Sequence, residues 1–129
     1  MPRLLLDTHA FLQWVNDDPH LTAAASRVIA EANNECYLSM ASCWEMAIKS
    51  SLGKLKLTKS IEHFVSEQLA ANGFALLNLG LRHTAKVEKL PFHHRDPFDR
   101  LLIAQAITEK MAIVSADRVF SEYGVKRLW

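Results

Sequence analysis

The sequence predicts a single α/β domain over residues 1–129, built on a central parallel sheet of four to five strands with helices on both faces. Three observations predict it. Short apolar runs alternate along the chain with longer stretches in which apolar residues recur at helical spacing. The runs are continuous rather than alternating, the pattern of strands buried on both faces of a parallel sheet. The length suits one domain, able to bury roughly two thirds of its unfolded surface, and no repeat, linker or low-complexity segment divides it.

The first strand is Arg3–Leu6, which stops at Asp7. A helix over Thr8–Val15 follows from the spacing of Phe11, Leu12 and Val15; the NDDP stretch interrupts it, and residues 23–32 are rich in strong helix formers. Residues 36–39 (CYLS) read as a second strand, and a helix over 41–52 runs to Gly53, carrying Glu45 in its first half. A further amphipathic helix begins at Thr58, aligns Ile61, Phe64, Val65 and Leu69, and ends at Gly73. Residues 74–77 form a third strand and 81–89 a short helix.

Asp96 opens the next helix, with Pro97 at the first helical position, where a missing N–H costs nothing. Residues 111–114 form a fourth strand ending in SAD, so Asp117 follows it much as Asp7 follows the first; residues 124–128 add a fifth, edge strand. Right-handed βαβ crossovers place the ends of parallel strands on one side, and ligands of such sheets bind outside those carboxyl ends. Asp7 and Asp117 fall at that edge.

Composition narrows the function less than the pattern does. Apolar residues are 50% and charged residues 22% of the chain, which excludes a disordered protein. The formal charge of +1 neither demands nor excludes a nucleic-acid partner. Cys36 and Cys43 lack the paired spacing of a zinc site and read as reduced, buried thiols. The apolar start is broken by Asp7 and His9 and no segment reaches the ~18 apolar residues of a membrane span, so a cytoplasmic protein without a membrane partner is expected.

Each acid has a structural reading. Asp96 suits a helix N-cap, Asp99 the favourable end of a helix dipole, and Glu45 a capping box with Ser42. Asp7 and Asp117 are harder to dismiss, since a carboxylate after an apolar strand suits no core. If Asp7, Glu45, Asp99 and Asp117 converge, they repel one another unless a cation sits among them. Oxygen ligands select Mg2+ or Mn2+, and such ions serve phosphodiester cleavage by in-line attack of water; two ions would stand roughly 3.5 to 4 Å apart. Thr8 and Ser115 are auxiliary candidates to orient a carboxylate or water, or cap the following turns.

At these residues the chain resembles the PIN-domain ribonucleases, in particular the VapC-like toxins of toxin–antitoxin pairs. The resemblance runs through LLLDTHAFLQW, WEMAIKSSLGKLKL, HRDPFDRLLIAQA and IVSADRVFSEYGV, and rests on their order and spacing. It implies a PIN-like fold and a Mg2+- or Mn2+-dependent endoribonuclease. It also implies a co-expressed antitoxin covering the cleft and a homodimer. The four acids of the family match Asp7, Glu45, Asp99 and Asp117, with Asp96 auxiliary.

Arg95, Arg100, Arg118 and Lys49 are then candidates to hold the RNA backbone; Trp14 and Trp44 read as core, with base stacking the alternative, and the His93–His94 pair as solvent-facing, with phosphate or metal binding the alternative. Two rivals remain. A phosphatase with Asp7 as nucleophile would want a second carboxylate beside it, where DTH supplies histidine. A non-catalytic interaction module would use the acids only as helix caps.

Overall fold

In the computed structural model, which describes residues 2–129, β1 (Arg3–Leu6) is the middle strand of a five-stranded parallel sheet. Its apolar run is continuous because both faces are covered. Leu4 and Leu6 pack into one core layer and Leu5 into the other, all three buried. Asp7 ends the strand and caps α1 (Thr8–Val15), its Oδ1 accepting the Ala10 N–H at 2.7 Å. Thr22 caps α2 (Ala23–Ala30), which stops two residues before the predicted end because Glu31 turns to an extended backbone.

The second strand, β2 (Glu35–Ser39), passes directly into α3 (Met40–Ser51). Ser39 serves both elements, as last strand residue and as the N-cap whose Oγ accepts the Ala41 N–H at 3.0 Å. The Ser42–Glu45 capping box therefore does not form, and Glu45 lies inside the helix rather than at its start. Ser60 rather than Thr58 starts α4 (Ile61–Asn72), its hydroxyl accepting the His63 N–H at 3.2 Å. Gly73 ends that helix in the left-handed region at φ 67°, a conformation cheap only for glycine.

A short edge strand, β3 (Ala75–Leu77), precedes α5 (Leu81–Glu88) and α6 (Pro97–Glu109). Asp96 caps α6 as its sequence position predicts, Oδ1 accepting the Asp99 N–H at 2.9 Å. Leu102, Ile103, Ala104, Gln105 and Ala106 are all buried, so α6 has no solvent face over its middle turns. Then come β4 (Ala112–Val114), a 3-10 helix over Arg118–Tyr123 that the periodicity does not reveal, and β5 (Arg127–Leu128), shorter than the predicted 124–128.

The strand order is β3-β2-β1-β4-β5. The chain builds outward from β1 in one direction, returns to its other side at β4, and so places its switch between β1 and β4. The Asp7 N–H donates to the Val114 carbonyl at 3.1 Å, prolonging the ladder past the strand and fixing Asp7 at the rim of that crevice. Among the described residues, no helix is long and apolar enough to cross a membrane.

Candidate active site

The acids reach the carboxyl edge of the sheet from four elements. Asp7 follows β1 and is buried, with Oδ1 engaged in the α1 cap. Asp117 follows β4 and caps the 3-10 helix, Oδ1 accepting the Val119 N–H at 3.0 Å. Asp99 stands in the first turn of α6, and Glu45 projects from α3, buried. The cap bonds leave each strand-end aspartate a second carboxylate oxygen for other work. The cap reading and the site reading are thus compatible for Asp7 and Asp117.

Small hydroxyls and one lysine fix the carboxylates. Thr8 Oγ1 donates to Glu45 Oε1 at 2.7 Å and lies 2.9 Å from Ser42 Oγ. Lys49, one helical turn after Glu45, donates to its Oε2 at 2.8 Å, so this cation neutralises a site acid instead of extending freely toward solvent. The Ser115 hydroxyl accepts the Asp117 N–H at 3.0 Å and also lowers the cost of charging Asp7. Both auxiliary candidates, Thr8 and Ser115, therefore touch the acidic group.

Crowding shows in the proton affinities. Burial pushes the Asp7 carboxyl above the usual carboxylate range against the Ser115 and Ala10 hydrogen bonds, and the nearby Asp117 charge adds to the rise. Asp99 is raised to about 6, chiefly by burial and then by the Asp96 charge; His94 opposes this, and Asp7 and Glu45 add to it. Asp99 therefore feels the charges of Asp7 and Glu45, and Asp7 that of Asp117. The tightest subset is His94, Asp99 and Asp117, whose potential ligand atoms all lie within 4.8 Å of one another; Asp7 and Glu45 stand outside it.

Such a donor set fits a hard divalent cation. Four carboxylates from separate elements supply oxygen, and two of them resist ionisation without a positive partner. Asp96 lies beside the cluster, with one oxygen committed to the α6 cap.

The basic candidates divide. Arg95 and Arg118 are exposed, each next in the chain to a residue of the cluster, His94 and Asp117. Arg100 points inward and is buried: its Nη1 donates to the carbonyls of Pro91 (2.9 Å) and His94 (3.2 Å), and its Nη2 to those of Val87 and Leu90 (both 3.2 Å). Its guanidinium also lies 4.3 Å from the centre of the Phe92 ring. Arg100 is accordingly a staple of the segment between α5 and α6, not a phosphate ligand, because its donors face the carbonyls of that segment.

Trp14 packs against Phe74 and bonds Asn72 through its indole N–H at 3.0 Å, matching the core reading. Trp44 does not: it is 56% exposed, edge-on to Phe98 with ring centres 5.1 Å apart. Its place two residues after the buried Ser42 and one before the buried Glu45 turns it outward. His93 is exposed, as expected of the pair, but His94 turns inward against that expectation, half-buried with Nε2 2.9 Å from Asp99 Oδ2 and 3.2 Å from Asp117 Oδ2. No spacing rule signals it, because the path of a loop sets its direction. Cys36 is buried, Cys43 half-buried, and neither forms a disulfide.

The sequence pattern of the PIN domain matches residues 4–126. The chain belongs to the PIN-domain family. Similar folds are found in VapBC2 from Rickettsia felis bound to a DNA fragment from their promoter, with TM-score 0.72 and 16% identity, over 97% of this chain and 96% of that one. They are found also in VapBC-1 from nontypeable Haemophilus influenzae, with TM-score 0.65 and 12% identity, over 97% and 96% of the two chains. In FitAB bound to an IR36 DNA fragment the match has TM-score 0.67 and 18% identity, over 96% of this chain and 92% of that one. None of the curated proteins matches the sequence significantly. At these identities the likeness is one of fold, and the five-stranded parallel sheet with helices on both faces is that of a single PIN domain.

Proposed function

We propose that this PIN domain is a metal-dependent endoribonuclease that hydrolyses RNA phosphodiester bonds at Asp7, Glu45, Asp99 and Asp117, and that it is the toxin of a toxin–antitoxin pair. The observation that supports the reading is the gathering of acids from separate elements at the switch between β1 and β4, with ligand atoms of His94, Asp99 and Asp117 within 4.8 Å of one another and Asp7 and Glu45 close enough to raise the Asp99 carboxyl. Lys49 offsets only Glu45, and the crowding left at Asp7 and Asp99 is what a divalent cation would relieve.

Mg2+ or Mn2+, when bound, acidifies the attacking water and stabilises charge on the phosphoryl and leaving oxygens. The protein's own groups do the rest. Asp7, Asp99 and Asp117 offer oxygens to the ion. Glu45 is aimed by Thr8, and Lys49 limits its charge. The exposed Arg95 and Arg118 hold phosphates of the RNA backbone beside the acids through salt-dependent contacts.

The VapBC and FitAB complexes among the similar folds support an antitoxin as protein partner; a homodimer and action in the cytoplasm rest on the resemblance to VapC-like toxins alone. The test is cleavage of single-stranded RNA by the purified protein with Mg2+ or Mn2+, set against Asp7→Asn. Loss of cleavage in a variant with an unchanged circular-dichroism spectrum supports the reading; equal activity in both proteins rejects it.

A further inference from the structure

We propose that Phe92 and Arg95 form a nucleotide subsite beside the acidic cluster, in which an unpaired RNA base stacks on the open face of the Phe92 ring while Arg95 holds a phosphate next to it. The inference rests on the RNA-hydrolase reading and deepens it, naming the unpaired nucleotide as the form of RNA that the site accepts.

The ring is exposed and yet held in place. Phe92 lies on the segment between α5 and α6 and is 81% exposed. The Arg100 guanidinium covers one face, 4.3 Å from the ring centre. That guanidinium is buried and bonded to the carbonyls of Val87, Leu90, Pro91 and His94, so it cannot swing away with the ring. Pro91 directly precedes Phe92, and the same cation thus steadies the backbone from which the ring projects. An aromatic plane backed on one side and open on the other is a platform on which a base can stack.

The surroundings suit a nucleotide. The ring forms part of the wall of a cavity of about 430 Å3, which Val87, Pro97 and Leu101 line with apolar surface and Arg95 with a cation. Arg100 reaches the same cavity, but its donors are spent on the carbonyls, which leaves Arg95 for a phosphate. The groove beside the other exposed aromatic, Trp44, is different. Its walls include Met40, Ile61 and Leu76, no cation lines it, and Glu62 stands on its rim, where it would repel a phosphate. Of the two exposed rings, Phe92 is therefore the one whose neighbourhood complements RNA.

The position connects the subsite to the acids. Phe92 precedes by two residues His94, whose Nε2 is 2.9 Å from Asp99 Oδ2. Two residues of chain span at most about 7 Å, so a nucleotide seated on Phe92 lies close to the bond that the acids would receive. Stacking uses the π-face common to all bases, which makes the subsite tolerant of sequence. A base inside a duplex has both faces covered by its neighbours and cannot reach the ring. Single strands and loops are the forms that fit.

The test compares RNA binding, read by fluorescence anisotropy in Mg2+, between the Asp7→Asn protein and the same protein carrying Phe92→Leu or Phe92→Trp, each checked for folding by circular dichroism. Phe92→Leu should weaken binding of a labelled single-stranded oligouridine about tenfold, while Phe92→Trp should stay within about twofold. With the oligouridine annealed to its complement, Phe92→Leu should bind as its parent does. Irradiation of the single strand carrying 5-iodouridine should link it to Phe92, located by mass spectrometry of the digested protein. Equal single-strand binding by Phe92→Leu, an equal loss on the duplex, or no link at Phe92 each overturns the proposal. So does a Phe92→Leu variant that changes oligomeric state in sedimentation but keeps its RNA affinity, since the ring then belongs to a contact between copies. A Phe92-dependent single-strand affinity in a protein whose wild type cuts no RNA upholds the subsite and rejects the hydrolase reading; cleavage by wild type without Phe92-dependent binding does the reverse.

Discussion

Thr8 Oγ1 lies 2.7 Å from Glu45 Oε1, tying the first turn of α1 to the middle of α3. The contact joins the residue after a strand-end aspartate to the acid supplied by another helix. Its donor is the sole proton of a buried hydroxyl, and its acceptor is a buried carboxylate. Thr8→Val keeps the shape and removes the donor, so it should cost about 1–3 kcal/mol of stability. Urea denaturation measures this; a change within error of zero would mean that the bond contributes nothing net.

The pH dependence of the metal-free protein follows from Asp99. Its folded carboxyl titrates at about 6, above the unfolded value, so between roughly pH 4 and 6 the native state holds more protons than the unfolded chain. Stability contributed through this group therefore falls as pH rises through that window, by on the order of 1 kcal/mol after allowance for its partial exposure. Asp7 acts in the same direction. Asp99→Asn should flatten the dependence and raise the melting temperature near neutral pH without metal. A lower melting temperature would contradict it.

Divalent ions should reverse that trend. Mn2+ competes with protons for the same oxygens, so the rise in melting temperature on adding it should be larger at about pH 7 than at about pH 5. Thermal scans at fixed Mn2+ concentration test this, and a pH-independent rise would indicate a binding site elsewhere.

Arg100 and its exposed neighbours should separate cleanly. Arg100→Leu strands the carbonyls of Val87, Leu90, Pro91 and His94 and should destabilise the fold by about 3 kcal/mol. Arg95→Ala and Arg118→Ala should leave stability within about 0.5 kcal/mol of wild type. Each should reduce the salt dependence of single-stranded RNA binding, lowering the log–log slope by about 0.7. Filter binding over a range of salt concentrations checks this; unchanged slopes would remove both residues from the RNA contact.

The sheet and its rim were legible because their signals are local. A continuous run such as Leu4 to Leu6 declares burial on both faces, and an acid directly after it declares the strand's end. Pro97 after Asp96 marked the start of α6 to the residue. What escaped the sequence depends on long-range packing. Arg100 looks like any surface arginine until the segment between α5 and α6 folds back over it, and His94 gains its neighbours only when the turn after β4 arrives from later in the chain. The 3-10 helix lacks a period of its own, and Trp44 turns outward because Ser42 and Glu45 on the same helix claim the inside.

The strand order also governs when the protein becomes whole during synthesis. β1 emerges first yet cannot be flanked on its second side until β4 has left the ribosome, so Asp7 waits through roughly a hundred residues for the aspartates of the last third. A growing chain can close β1 against β2 and its helices while two of the four acids are still unmade or tethered in the exit tunnel. Under the proposed function, an RNA hydrolase assembled in this sequence would stay inert beside the translation machinery that produces it, and ribosome-bound chains halted before β4 should neither bind Mn2+ nor cut RNA.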